Sequence, residues 1–295
     1  RDLHSFPTRR SSDLSSSLEL AYVNLKARHN LNFTIGKQFV NFGGYEYYVN
    51  SIRVREFSEF NNLLTAYQAG ISGNWQVSPD HELCFQIVNN RNGNDEDIYP
   101  TGLPEGTAKA KIPFMYTVNW NSYYLDKTLQ LRYATAVGQQ TRKRYSYYFT
   151  CGNTYEKGPL LTYLDVMYTR QGIDQHGVVS RLPGTPHTAM NTEYLSIIGD
   201  VDYRVHPQWN VYVKGAYETA WVYKSNGDFR KGMYRRSWNA QSSVEFFPFK
   251  QLDLFVFVLY TYRGVILEKA ATRMGAIEPD THRISLGLVY SIPVF

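Results

Sequence analysis

The side chains here that could perform acid–base, nucleophilic or metal chemistry are seven histidines, two cysteines and scattered carboxylates. Nucleophilic catalysis needs a base beside a serine or cysteine, and a zinc site needs histidines or cysteines at short fixed intervals. No GxSxG, HExxH or CxxC occurs, and His29, His81, His176, His187, His206 and His282 fall singly, mostly at turns and connections. His81, His176 and His187 are formal candidates for a Ser-His-acid cluster at the rim of a barrel, but a lone polar loop residue is far more often solvated than catalytic. Asn92 to Asp97, NGNDED, offers oxygen ligands for Ca²⁺ or a divalent bridge to lipopolysaccharide, without the glycine and terminal glutamate spacing of a helix–loop–helix calcium site. Cys84 and Cys151 lie far apart and read as free, half-buried thiols rather than as a disulfide. The expectation is no catalytic residue, no cofactor and no resident metal.

The elements that carry these residues come from the chain's patterning. Aromatic residues make up 16%, including 25 tyrosines, yet mean hydropathy is −0.41. No apolar run reaches the ~20 residues a membrane helix requires. A membrane-spanning β-strand needs only ~10 residues and alternates lipid-facing with lumen-facing side chains, so its mean hydropathy stays low. That alternation recurs: Thr65, Tyr67, Ala69, Ile71, Gly73, Trp75 and Val77 interleave with Ala66, Gln68, Gly70, Ser72, Asn74 and Gln76. The same period runs through Phe114–Asn121, Leu129–Gly138 and Trp238–Phe246.

The connections alternate as well. Short ones are expected at His29-Asn30, Ser78–Asp80, Leu125–Lys127, Gly152–Gly158, His206–Gln208 and Pro248–Gln251, all rich in turn formers. Longer ones are expected over Phe39–Asn62, Arg91–Lys111, Gln139–Arg144, Gly172–Ala189, Ala220–Tyr234 and Gly264–Asp280. Short periplasmic turns opposite long external loops characterise an outer-membrane barrel. Trp75, Trp120 and Trp209 sit beside short turns and Trp221 and Trp238 flank a long loop, as two aromatic girdles would require.

The fold class read from this is all-β, an antiparallel transmembrane β-barrel in the bacterial outer membrane. The strands are placed at 17–28, 31–38, 64–77, 81–90, 112–124, 127–138, 144–152, 159–171, 191–205, 209–219, 235–247, 251–263 and 281–294. Bacterial single-chain barrels carry an even number of strands, so about 13 are present of an expected 16, with the remainder upstream. Residues 1–14 are set outside the domain, because His4 to Leu14, HSFPTRRSSDL, resembles a translated sequencing adaptor. The barrel occupies 15–295.

Thr34 to Ser51, TIGKQFVNFGGYEYYVNS, resembles the strand-to-loop passage of the phosphate-selective porin O/P family of Bacteroidetes-type outer membranes. Ile112 to Asn121, IPFMYTVNWN, and the terminal aromatic Phe295 add to the resemblance. Gly36, Phe42 and Gly43 match the family's glycine and Phe-Gly, whereas the acidic residue that usually follows is displaced to Glu46. The resemblance implies a sixteen-stranded, trimeric porin whose third loop folds into the lumen, here the 39–62 connection. It also implies that barrel-assembly machinery reads Phe295. Ile284, Leu286, Leu288 and Tyr290 are out of phase with Phe295, and Pro293 would mark the bulge that restores phase.

Charge in a lumen sets what a porin passes. The faces read as inward carry Arg132, Arg204, Lys214, Arg263 and Arg283 against Asp165, Asp200, Asp202, Glu218, Glu245 and Asp253, so the pore is not of one sign and most of these should pair across strands. Arg53 and Arg55, two apart in the loop implied to enter the lumen, are the leading solute-contacting pair, weighed against salt bridges to Glu56 or Glu59. Arg132, Lys214 and Arg283 complete the set. The basic residues are dispersed, which excludes a nucleic-acid-binding face. The function expected is passive diffusion of small hydrophilic solutes or ions, with an anion or phosphate preference. A substrate-specific uptake channel ranks second and a barrel enzyme third. Expected partners are outer-membrane lipid and lipopolysaccharide, small anions or other small solutes, and two further copies of the chain.

Overall fold

The computed structural model describes residues 18–291 apart from 50, 92–97, 100, 186 and 250. The adaptor-like segment, the NGNDED stretch, Pro293 and Phe295 therefore lie outside the described residues. Thirteen strands form one antiparallel sheet in strict chain order. They are β1 (Ala21–Arg28), β2 (Leu31–Phe39), β3 (Tyr67–Ser78), β4 (His81–Asn89), β5 (Phe114–Tyr124), β6 (Leu129–Thr141), β7 (Arg144–Lys157), β8 (Leu160–Ile173), β9 (Met190–His206), β10 (Trp209–Val222), β11 (Gly232–Phe246), β12 (Leu254–Leu267) and β13 (Thr281–Tyr290). Among the described residues a 3-10 turn at Glu46–Tyr48 and three short α-helices interrupt the connections: α1 (Ser51–Val54), α2 (Glu59–Asn62) and α3 (Lys269–Thr272). β1 and β13 do not pair among the described residues, so each keeps one free edge.

Register fixes two lateral rows that explain the sheet. One runs through Thr34, Ser72, Gln86, Thr117, Ala136, Tyr148, Thr169, Tyr194, Ala220 and Arg235. It is polar or small for most of its length, and from Ser72 to Arg235 it is buried. The neighbouring row runs through Ile35, Ile71, Ile87, Tyr116, Val137 and Tyr147, and Ile71, Ile87, Tyr116 and Tyr147 are each about half exposed. Burying amides and hydroxyls while exposing isoleucine inverts the arrangement of a water-soluble core. It suits a wall with hydrocarbon outside and a polar lumen inside. Exposed Val213, Val244, Val256, Val258, Ile284, Leu286 and Leu288 continue the outer belt to β13.

Three sequence expectations are corrected. The Gly152–Gly158 turn does not exist: β7 continues to Lys157 and turns at 158–159, because Gly152 serves close backbone approach rather than chain reversal. The expected long connection Gln139–Arg144 is a two-residue turn at 142–143, since β6 runs on to Thr141 and pairs there with Arg144. Trp238 stands in mid-strand, paired with Tyr217 and Gly264, so it faces lipid at depth rather than flanking a loop. Cys84 and Cys151 are free, as expected, but Cys84 is buried rather than half-buried.

Candidate functional site

Residues 40–66, between β2 and β3, turn into the sheet's concave side and carry α1 and α2 with them. The turn inward begins on aromatic packing: Phe39 meets Tyr47, Tyr48 and Tyr67 with ring centroids 4.6, 5.1 and 5.7 Å apart. Gly43 and Gly44 follow with φ of +75° and +80°, a left-handed backbone that most side chains resist. Gly44 then lies directly on Gly152, where an added Cβ would come within 2.5 Å of the Gly44 Cα.

Wall carboxylates hold the loop by its backbone. Asp165 on β8 accepts from the Tyr45 amide at 2.8 and 2.9 Å and from the Glu46 amide at 2.8 Å. Glu218 on β10 accepts from the Glu59 and Phe60 amides at 3.2 and 2.9 Å, at the start of α2, and from the Ser196 hydroxyl. Ser58 caps α2 by accepting from the Asn61 amide at 3.3 Å. Glu46 is fully buried and gathers the loop on itself, accepting from the Ser58 amide at 3.1 Å, the Ser58 hydroxyl at 2.6 Å and the Asn61 side chain. Lys214, also fully buried, pairs with Glu46 and donates to the Glu56 carbonyl at 2.6 Å. The Tyr212 hydroxyl donates to the Val54 carbonyl at 3.0 Å. The loop is thus tied to the wall by hydrogen bonds to otherwise orphaned amides, which a polar lumen can supply and a greasy core could not.

Ion pairs complete the attachment along β11 to β13. Arg55 pairs with Glu245, and its guanidinium stands 5.0 and 5.4 Å from the Phe255 and Phe257 rings. These contacts hold Arg55 at φ +63°, unfavourable for a side chain of its kind. Glu56 pairs with Arg283. Glu59 pairs with Arg235 at 2.5 Å and with Arg263 at 3.0 Å, and both arginines also bind Glu278, from the connection before β13. By contrast, the inward positions of β2 to β5 carry mostly amides and hydroxyls, among them Gln38, Ser72, Asn74, Gln86, Thr117 and Asn119. Charge therefore concentrates on the β8–β13 side of the lumen.

The five residues singled out from the sequence do not meet at one point. Arg53 is exposed on α1 and hydrogen-bonds Tyr45, whose hydroxyl pKa is raised by burial while Arg53 pulls it the other way. Arg55 is buried on Glu245, correcting the expected partners Glu56 and Glu59. Arg132 is half-buried, 5.1 Å from the Tyr48 ring centroid. Lys214 is buried on Glu46, and Arg283 is 57% exposed on Glu56. The expectation that wall charges pair across strands is corrected too. Lys214, Glu245 and Arg283 pair with the loop, Asp165 and Glu218 accept loop amides, and Arg204 stacks on Phe247 at 3.7 Å. Sequence reasoning missed Glu46, Asp165 and Glu218 as the loop's anchors. The one visible signal was the displacement of the family's acidic residue to Glu46.

The model of the family described as phosphate-selective porin O and P matches residues 5–292. No curated protein sequence matches the chain. Among solved structures, the outer membrane channel DcaP of Acinetobacter baumannii superposes with a TM-score of 0.57 at 11% identity, over 88% of this chain and 71% of its own. The anion-selective porin from Comamonas acidovorans gives 0.54 at 9% identity, over 90% and 76%. The trimer form of in-vitro folded OmpT, an outer membrane protein of Vibrio cholerae, gives 0.52 at 12% identity, over 92% and 78%. At such identities these likenesses are of fold.

Proposed function

We infer the transport role of this chain from its family: it belongs to the phosphate-selective porin O and P family, and it is an outer-membrane porin through which small hydrophilic solutes and ions diffuse passively. The observation that carries this reading is the inside-out wall with a loop anchored across its concave side. Amides and hydroxyls line the buried face, isoleucine and valine face outward, and residues 40–66 occupy the lumen. A loop so placed narrows the path and brings its charges to the solute.

We propose further that the path prefers anions. Of the five basic residues singled out from the sequence, Arg55 and Lys214 are consumed in holding the loop, which leaves Arg53, Arg132 and Arg283 for a solute to meet. Arg53 has no carboxylate partner among the described residues, and Arg283 is more than half exposed beside Glu56. Support by likeness comes from a structural neighbour that is itself an anion-selective porin. Three copies assembling around a common axis is a further proposal, supported by the trimer form of one relative.

The test is the reversal potential of the protein in a planar bilayer under a potassium chloride gradient, before and after Arg53→Ala with Arg283→Ala. An anion-selective reversal potential that moves toward zero in the double variant supports the reading. Unselective current, equal in both proteins, overturns the anion assignment and leaves a general porin. Absence of current from folded protein overturns the channel reading itself.

A further inference from the structure

Arg235 and Arg263 converge on two carboxylates from different parts of the chain. Arg235, on β11, is 3% exposed and meets Glu278 as a fork: its Nε donates to Oε2 at 2.7 Å and its Nη2 to Oε1 at 2.9 Å. Its remaining nitrogen, Nη1, donates to Glu59 at 2.5 Å. Arg263, on β12, uses Nη2 for both carboxylates, at 3.0 Å to Glu59 and 2.9 Å to Glu278. Its Nε and Nη1 make no hydrogen bond among the described residues, and its side chain is 36% exposed. These two idle donors point apart and both of Arg263's forks run through the shared Nη2, so the open bidentate geometry is the one Glu278 now fills. The Nε and Nη2 of Arg235, with the Nη2 of Arg263 beside them, form an arrangement that recognises phosphate or a free carboxylate equally well.

The two carboxylates are not held alike. Glu59 opens α2, whose amides are tied to Glu218 and whose cap is Ser58, so moving it means dismantling the inward loop. Glu278 comes from irregular backbone between α3 and β13, next to Ile277, which is 80% exposed. Its segment touches the β8–β9 connection, where a Cβ on Gly184 would come within 1.8 Å of the Met274 carbonyl oxygen. Displacing Glu278 therefore disturbs the irregular connection, held otherwise by the buried Ala276 and by Asp280 accepting from the Val265 amide, while Glu59 stays in place.

We propose that Arg235 and Arg263 form an oxyanion site in the external half of the lumen, masked by Glu278, and that an arriving phosphate or carboxylate exchanges with Glu278 and loosens residues 273–280. The inference rests on the porin reading and deepens it, because it places an anion's first stop outside the loop that carries Arg53. Glu278 acts as an internal stand-in for the solute: the bidentate contact that holds the connection down is the contact the solute takes over. Ligand affinity and loop release are then one equilibrium, since an anion binds the unmasked state better than the masked one.

The test measures how inorganic phosphate, and in parallel succinate, reduces chloride current through the protein in a planar bilayer. Glu278→Gln removes the competing charge and should lower the half-effective concentration about fivefold, and Arg263→Gln should raise it by at least that factor, as expected for one partly exposed charged contact. Whichever of phosphate and succinate acts identifies the source of the oxyanion. Hydrogen exchange of amides 273–280 in the unaltered protein should quicken when the active anion is added, a readout independent of whether a variant folds. Half-effective concentrations unchanged in both variants, or exchange of 273–280 unmoved by either anion, overturns the site while chloride current persists. Absence of chloride current from the unaltered protein is the separate failure of the porin reading.

Discussion

Replacing Asp165 by alanine should detach the first part of the inward loop without unfolding the sheet. The carboxylate accepts the Tyr45 and Glu46 amides at 2.8 to 2.9 Å and is fully buried. Without it two amides inside the lumen lose their acceptor, at a cost of about 1–3 kcal/mol each. Water admitted by the smaller side chain recovers part of this, so a net cost of about 3 kcal/mol is a reasonable working figure, worth roughly a hundredfold in the ratio of docked to undocked loop. Glu218, Arg55, the Tyr212 bond to the Val54 carbonyl and the Lys214 bond to the Glu56 carbonyl still hold the rest, so the displacement is confined to the stretch before Val54, Arg53 included. Single-channel recording should show a larger mean conductance and more open-channel noise in Asp165→Ala than in the unaltered protein. Trypsin should cut after Arg53, which is exposed already but sits in a tethered segment. Asp165→Asn, which keeps one acceptor, should fall between. Conductance, noise and trypsin resistance all matching the unaltered protein, in a barrel that still shows heat-modifiable electrophoretic mobility, would refute the anchoring role.

Gly152→Val should push Gly44 off β7, since even a Cβ falls within 2.5 Å of the Gly44 Cα; conductance noise like that of Asp165→Ala is expected, and silent recordings from a folded barrel would contradict it. Lys214→Met strands a buried Glu46 and should cost about 3–5 kcal/mol, whereas adding Glu46→Gln should return most of it; thermal melting of the two singles and the double checks this, and additive losses would oppose it. His176, in the β8–β9 connection, is buried between Phe60 and Tyr194, and that burial, with Arg181 nearby, lowers its pKa from 6.5 to about 3. The unfolded chain therefore takes up the proton first as pH falls. Its contribution to stability is whole above about pH 6.5 and declines toward pH 3. Between pH 8 and pH 4 the melting temperature of the unaltered protein should drop further than that of His176→Phe, and equal drops would rule this out.

The wall was legible in the sequence because each strand states its own pattern. Residues two apart share a face whatever the rest of the chain does, so Ile71 and Trp75 could be assigned outward and Ser72 and Asn74 inward from local alternation alone. β12 resisted, since Phe255, Phe257 and Leu259 are as apolar as Val256, Val258 and Tyr260; the inward three exist to pack under the loop and carry Arg55. Gly152 was misread for a related reason. A glycine in a strand can mean a turn or a close approach, and only the partner, Gly44, decides which. The loop's attachments were out of reach because they join residues 120, 190 and 227 apart in sequence. No period encodes such a distance.

Those distant attachments also explain why a chain with nearly balanced lumen charge can still present a net sign to a solute. A charge count treats every inward residue as equal, yet Lys214 is spent on Glu46 and Arg55 on Glu245, and each such pair is buried to within a few per cent. Asp165 and Glu218 are buried as well, with backbone amides for partners. Burial removes these charges from the solute's field of view more effectively than salt could, because the partner lies within contact distance. The sign that counts belongs to the groups still in water. On the loop and the nearby wall these are Arg53, Arg263 and the solvent side of Arg283, with Glu56, Glu59 and Glu278 partly exposed beside the last two. On the anion preference proposed above, selectivity follows from which charges the folded loop uses up, and a substitution at a buried anchor should change it without touching the path.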